Sequence, residues 1–329
     1  MAEYKGIKGF KVQYLSADPS NPIIGQTWYN STSKDLKYTG VSTAGAWATG
    51  NNMNTARFSL AGTGTQTAAL AAGGEPGAPV SSATEEYDGI SWTNSNNLNT
   101  ARNKLAGAGT QTAALAFGGE APPPTGATEE YGGVSWVTSP GSLNTVRYIL
   151  AGAGTQTAAL AFGGYTSPPL PTGLSSATEE YDGNSWTTSN PLNTVRYGLM
   201  GAGIQTAGLA FGGYVASPTS TGATEEYNGT SWTNSNSLNT TRYYSGAAGI
   251  QTAALCFGGV TPPFTGATEE YDGTSWATSP GSLNTARNSL GGAGTQTAAL
   301  GFGGNPPNTA ATEEWNGAGS PQTKTITVS

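Results

Sequence analysis

The chain has 329 residues, among them 49 Gly, 19 Pro, one Cys and no His, and its formal net charge is −7. The single Cys permits no intrachain disulfide and no thiolate metal cage, and without His the commonest general base and metal ligand is missing. No apolar run approaches about 18 residues and no h-region follows Met1-Ala2-Glu3-Tyr4-Lys5, so neither membrane insertion nor a secretory signal is expected.

Residues 1–24 carry little pattern. Trp28–Asn30 and Lys34–Tyr38 read as the arms of a hairpin, and residues 1–44 as an N-terminal appendage. From 45 to 329 one unit recurs. The tetrad Asn-Thr-x-Arg occurs six times, ending at Arg57, Arg102, Arg147, Arg196, Arg242 and Arg287, at intervals of 45, 45, 49, 46 and 45 residues. A Gly-Gly pair follows each Arg at constant distance, and Ala-Thr-Glu-Glu comes next, followed by Tyr87, Tyr131, Tyr181, Tyr227, Tyr271 or Trp315. Five residues after each Tyr stands a Trp. In the third unit Tyr148–Gly154, Ala158–Gly164, Ala177–Tyr181 and Ser185-Trp186-Thr187 read as four short strands, with Asp182-Gly183 as a hairpin turn. Four strands in about 45 residues is the spacing of a propeller blade. The Gly richness has no Gly-X-Y period, which excludes collagen. Part of it lies in first strands that read Ala-Gly-x-Gly or close to it, where blades crowd around an axis.

The last unit lacks the Trp that follows the other five. Trp47 stands seven residues before Asn54, as Trp92 does before Asn99. An N-terminal strand bearing Trp47 is therefore expected to complete the last blade and close the ring. Thr323–Ser329 also alternates like a strand and competes for that place.

The unit resembles the kelch repeat family, which carries an Arg near the start, an apolar strand ending in Gly-Gly, then a Tyr and, several residues later, a Trp. Arg147, Gly163-Gly164, Tyr181 and Trp186 form one such set. The resemblance covers roughly residues 45–329. It implies an all-β, six-bladed, kelch-like β-propeller with four antiparallel strands per blade. The unit departs from the family in having no His after the Arg and in strands rich in Ala, Gly and Thr. The opening Met1–Gln13, the segment Gly25-Gln26-Thr27-Trp28-Tyr29-Asn30 and the Asn-Thr-Ala-Arg repeats are similar to virion structural or tail-fibre-type proteins of marine bacteriophages. That similarity implies a virion location after synthesis in a host cytoplasm, with other virion proteins or a host surface glycan or receptor as partners.

All six Arg belong to the repeat, and twelve of the twenty acids are its Glu pairs. Side chains alternate along the third strand, so only one Glu of each pair can face the Arg. Glu85, Glu129, Glu179, Glu225, Glu269 and Glu313 are expected to meet the six Arg as a blade-to-blade latch, the second Glu of each pair staying in water. A ring of carboxylates for acid chemistry or metal binding is the competing reading. Six identical copies suit a scaffold, whereas a catalytic site is one asymmetric constellation. No metal or cofactor is expected, and Cys256, in an apolar strand, reads as a small buried thiol. Residues 51–329 hold 8 basic and 17 acidic side chains, which leaves no basic stripe for nucleic acid.

Variation among the copies points to the loops after Gly-Gly, which hold 13 of the 19 Pro. The residue after each Arg and the residue after each Gly-Gly lie on that variable face. In three consecutive units these are Tyr148 with Tyr165, Tyr197 with Tyr214, and Tyr243 with Tyr244 beside it. Aromatic rings at equivalent places make an asymmetric platform on a symmetric scaffold, suited to a sugar or a protein partner. The bland alternative is that each Tyr packs against the turns of the outer strands. The reading is a non-enzymatic virion or tail-fibre-like protein that binds a host glycan or a neighbouring virion protein through this face. An intracellular kelch-type interaction scaffold is the alternative. A glycan-cleaving or oxidising enzyme is the weakest, since copper oxidases of the kelch type need His. The sequence leaves the oligomeric state open.

Overall fold

Each repeat folds into short antiparallel strands because its apolar stretches are only four or five residues long and are cut by Gly-containing turns. The computed structural model describes residues 12–20, 22–42, 44–166, 173–216, 219–319 and 321–326, and within them every regular element is a strand. Blade three shows the pattern, with Ala151–Gly154, Ala159–Phe162, Thr178–Tyr181 and Trp186–Ser189 paired in sequence order. Blade one begins with Ala61–Thr65, blade two with Ala106–Gly109, blade four with Met200–Ile204 and blade five with Gly246–Ile250, each followed by three more strands of its own unit. The first strand of blade three is shorter than the expected Tyr148–Gly154, because Ile149 adopts φ 55° and breaks the extended chain. First strands of neighbouring blades touch all the way round, blade six against blade one. Their Gly residues are there for close approach. A Cβ at Gly62 would stand 2.6 Å from the Gly292 carbonyl oxygen, and one at Gly201 equally close to that of Gly152.

The ring closes as Trp47 indicated. Gly291–Gly294, Ala298–Phe302 and Thr312–Asn316 are completed by Ala46–Gly50, with Trp47 opposite Trp315. The competing tail does not enter the ring. Pro321–Thr325 pairs instead with Asp35–Val41, and residues 327–329 lie outside the described residues. The propeller therefore spans Ala46–Asn316, and the other unit combines Met1–Gly45 with Gly317–Ser329, so the expected boundary of 45–329 is too long at its C-terminal end. In that smaller unit Thr27–Asn30 and Asp35–Val41 form the expected hairpin, and Gln13–Leu15 runs parallel to the first of them. Asp18 ties the hairpin together. Its carboxylate accepts from Lys37 Nζ at 2.7 Å, Asn30 Nδ2 at 2.7 Å and Trp28 Nε1 at 3.0 Å. These donors, Lys37 foremost, hold its pKa at about 2.

The hydrophobic core lies between blades. Leu115 and Phe117 of blade two pack with Ala159, Ala161, Tyr181 and Trp186 of blade three, and the same interdigitation recurs around the ring. Burying these rings supplies the apolar driving force, and hydrogen bonds fix the register. At the same interface Trp186 Nε1 donates to Thr128 Oγ1 at 2.9 Å, and Gln156 Nε2 to the carbonyls of Tyr131 and Ala114. Tyr181 Oη donates to Glu130 Oε1 at 2.6 Å and pairs with Ser139 Oγ at 2.5 Å. Burial, then the Glu130 carboxylate, pushes the Tyr181 phenol up to about 12. The second Glu of a pair is thus not left in water, as expected from alternation alone. Glu86, Glu130, Glu180, Glu226 and Glu314 each accept from a Tyr of the next blade. At the seam between blades five and six Trp315 replaces that Tyr. Ser279 Oγ is buried there without a hydrogen-bond partner among the described residues.

Candidate functional site

The six Arg prepare the site by holding the main chain that leads into it. Each is 0–1 % exposed. Arg147 Nη2 donates to Glu179 Oε1 at 3.1 Å and to the Ala161 carbonyl at 3.2 Å, while Nη1 reaches the carbonyls of Gly163 and Ala177. Glu179 in turn accepts from the backbone N–H of Asn144 at 2.6 Å and of Thr145 at 3.3 Å. The other five pairs are Arg57–Glu85, Arg102–Glu129, Arg196–Glu225, Arg242–Glu269 and Arg287–Glu313. The pair lies within one repeat, so it does not itself bridge two blades. It clamps the crossover that leaves the outer strand of one blade and enters the inner strand of the next. Burial lowers the Arg147 guanidinium to about 10, with Glu179 opposing, so it stays charged at neutral pH.

Two residues beyond each Arg the chain turns through the left-handed region. Ser59, Lys104, Ile149, Gly198, Tyr244 and Ser289 have φ between 53° and 61°. Their backbones form a closed annulus about the axis. The N–H of Ser59 donates to Ser289 O at 2.7 Å, Lys104 to Ser59 at 2.8 Å and Ile149 to Lys104 at 2.8 Å. Gly198 donates to Ile149 at 3.1 Å, Tyr244 to Gly198 at 2.9 Å and Ser289 to Tyr244 at 2.7 Å. Only one of the six is Gly, and a β-branched residue such as Ile149 is strained at positive φ. Five side chains of mixed character, with Gly198 leaving the sixth place bare, thus crown one repeated backbone ring. Below them Leu60, Leu105, Leu150, Leu199 and Leu290, with Ser245 in blade five, floor an axial well of about 120 Å³.

The six tyrosines named from the sequence come together beside this well as one arc. Ring centroids are 5.4 Å apart for Tyr148–Tyr165, 5.8 Å for Tyr165–Tyr197 and 5.4 Å for Tyr197–Tyr214. Tyr214–Tyr243 at 5.1 Å and Tyr243–Tyr244 at 5.0 Å complete it. They pack on one another. Tyr148 and Tyr165 are only 9 % and 4 % exposed, so they are the wall behind the platform rather than part of it. Tyr197, Tyr214, Tyr243 and Tyr244 are half-buried and present the accessible rings. Tyr244 belongs to the annulus itself, and its ring lies against Gly198, where a Cβ would meet it at 2.9 Å. Burial, ahead of the neighbouring phenols, pushes Tyr197 up to about 12 and raises Tyr244 as well, so these two rings are neutral at pH 7.

The opposite sector is polar. Asn103 Nδ2 donates to Glu75 Oε2 at 2.7 Å, and Lys104 Nζ pairs with Glu120 at 2.5 Å while standing 5.5 Å from the centre of the Tyr148 ring. Asn288 and Ser289 continue that sector, the Ser289 hydroxyl donating to Asn288 Oδ1 at 2.7 Å. Ser59, Lys104, Ile149, Gly198 and Ser289 were not singled out from the sequence. Their signal was available, since the second position after the Arg reads Ser, Lys, Ile, Gly, Tyr, Ser in units that otherwise repeat closely. No cluster of three or more His, Cys, Asp or Glu able to hold a metal occurs among the described residues. Cys256 is fully buried, and burial pushes its thiol up to about 11, so it is protonated at neutral pH.

No family model matches the chain, and no curated protein matches it in sequence. Among solved structures, that of YjhT matches with a TM-score of 0.66 over 85 % of this chain and 97 % of that one, at 12 % identity. At that identity the likeness establishes the β-propeller fold and nothing about function.

Proposed function

We propose that the protein is a non-enzymatic binding module, a virion or tail-fibre-like component that recognises a host surface glycan through the axial mouth and the tyrosine arc. One observation carries this reading. In a ring whose scaffold residues repeat six times, chemical variety is concentrated where the chain faces the axis. Six near-equivalent blades therefore present one asymmetric surface, tyrosines on one side and Glu75, Glu120, Asn103 and Lys104 on the other. Phenol rings stack on the C–H faces of sugars, and short polar side chains order the hydroxyls. The virion assignment is supported by the resemblance of the N-terminal segment and repeats to phage structural proteins. A protein-interaction scaffold is the second reading, favoured by the propeller fold, since the same tyrosines would serve as anchors for a partner.

The experiment is a glycan array probed with the labelled full chain and with a Tyr197→Ala, Tyr214→Ala variant of unchanged melting curve. Retention of selected glycans by the native protein and loss by the variant is the expected outcome. Absence of any glycan signal, with capture of a defined virion or host protein instead, would favour the scaffold.

A further inference from the structure

We infer that the axial well binds a small tetrahedral oxyanion, of the sulfate or phosphate class, through main-chain N–H groups. This holds whether or not the protein binds a glycan. The residue after each member of the annulus lines the well: Leu60, Leu105, Leu150, Leu199, Ser245 and Leu290. Their six N–H groups have no hydrogen-bond partner among the described residues. The five Leu are buried. A buried N–H without an acceptor is costly, and native proteins pair nearly all of them with protein, water or a ligand. One such group would be a local defect. Six at equivalent places around one axis are a property of the ring.

Hydrogen count, size and charge narrow what pairs them. The carbonyl of each of these peptide groups belongs to the annulus and already accepts from the neighbouring unit. The Ser59 hydroxyl, also on the well, is a further donor without a partner among the described residues. Water brings two hydrogens that need acceptors of their own, whereas an oxyanion brings none and takes the stronger, charge-assisted bonds. Runs of main-chain N–H groups around a concavity are a general device for holding anions. About 120 Å³ is several times the roughly 10–15 Å³ that admits one water, so a halide, little larger than water, would not span the well. Four oxygens on one centre reach more of its donors. The rim does not forbid this charge. Glu120 is matched by Lys104 at 2.5 Å, Glu75 accepts from Asn103, and Lys104 itself lines the well. The rest of the chain's negative charge acts through solvent and is screened beyond about 8 Å at physiological salt.

The test is calorimetry on the full chain at constant ionic strength, with sodium sulfate, inorganic phosphate and sodium chloride as probes. Sulfate and phosphate are expected to bind saturably at one site per chain, about tenfold or more tighter than chloride. Ser59→Asp sets a carboxylate at the mouth, and Ser59→Asn sets a neutral group of the same shape there. Both residues accept the left-handed conformation of Ser59, so both variants keep the annulus. The Asp variant is expected to bind sulfate about tenfold or more weakly than the Asn variant, since like charges are brought together. A crystal soaked in selenate is expected to show the selenium signal on the axis, among the N–H groups of Leu60, Leu105, Leu150, Leu199, Ser245 and Leu290. Galactose 6-sulfate, set against galactose and inorganic sulfate, identifies the source of the anion. Binding tighter than either parent puts the sulfate on a sugar ligand, and binding equal to sulfate alone makes a free anion the occupant. No saturable sulfate or phosphate binding, chloride as tight as sulfate, equal sulfate affinity in the two Ser59 variants, or selenium bound elsewhere each overturns the oxyanion site. The glycan reading stands or falls separately, on the array with neutral sugars.

Discussion

Replacing Arg147 by Met keeps the aliphatic stem and deletes the guanidinium, which isolates what the clamp contributes. The native group satisfies the carbonyls of Ala161, Gly163 and Ala177 and one oxygen of Glu179, all out of contact with water. Breaking one side of a buried ion pair costs about 3–5 kcal/mol. Glu179 keeps the N–H groups of Asn144 and Thr145, which places the loss toward the lower end, roughly 3 kcal/mol. At about 2–4 °C per kcal/mol for a chain of this class, the melting temperature should fall by roughly 6–12 °C. Urea unfolding followed by tryptophan fluorescence reads the same change, with an unaltered m-value as the sign that the folded ring is intact. The double change Arg147→Met, Glu179→Gln should cost less than the sum of the two single changes. A loss below about 1 kcal/mol, the value of an exposed pair, would refute the reasoning, and the clamp would be dispensable to the fold.

Three further outcomes follow from other contacts. Tyr181→Phe removes the hydroxyl shared by Glu130 and Ser139 and should cost about 1.5–3 kcal/mol in the same urea assay, because the acceptor is charged. Ile149→Asn, which suits the left-handed conformation, should raise stability by about 1 kcal/mol and weaken glycan binding, read by melting and by the array. Asp18 has its pKa lowered from 3.8 to about 2, so its contribution is present above pH 3.8 and is lost as pH falls through about 2. Wild type should therefore be more stable than Asp18→Asn at neutral pH, and the two should converge in acid. A difference that persists unchanged at pH 2 would contradict this.

Blade number, strand order and closing strand were legible because each depends on a spacing. The Arg interval sets the blade, the Gly-Gly pair ends the second strand, and Trp47 repeats the offset of Trp92. What spacing does not carry is conformation and orientation. The annulus escaped notice because Ser59, Lys104, Ile149, Tyr244 and Ser289 are ordinary residues forced to positive φ by the clamp before them and the hydrogen bonds between them. Propensity reads Tyr148-Ile149-Leu150 as strand. The tyrosines were placed on the right face, but equivalence in sequence does not tell an outward ring from one buried behind its neighbour, as Tyr165 is behind Tyr197. Nor does alternation along Glu129-Glu130 say that a phenol from the next blade will be waiting for the second carboxylate.

Closure by a strand from the far end of the chain bears on how separate molecules avoid one another. A ring completed by its own N-terminal strand could as well be completed by the corresponding strand of a second copy, the exchange by which domain-swapped dimers form. Ala46 pairs with Asn316, and only a few residues away Val41 pairs with Pro321 in a different sheet. A frayed Ala46–Gly50 is therefore held by a short tether close to its own partner, at an effective local concentration in the millimolar range for a tether of this kind. A competing copy in dilute solution cannot match that. Cutting the Asp35–Val41 pairing with Pro321–Thr325 is therefore expected to raise the fraction of intertwined dimers, read by size-exclusion chromatography.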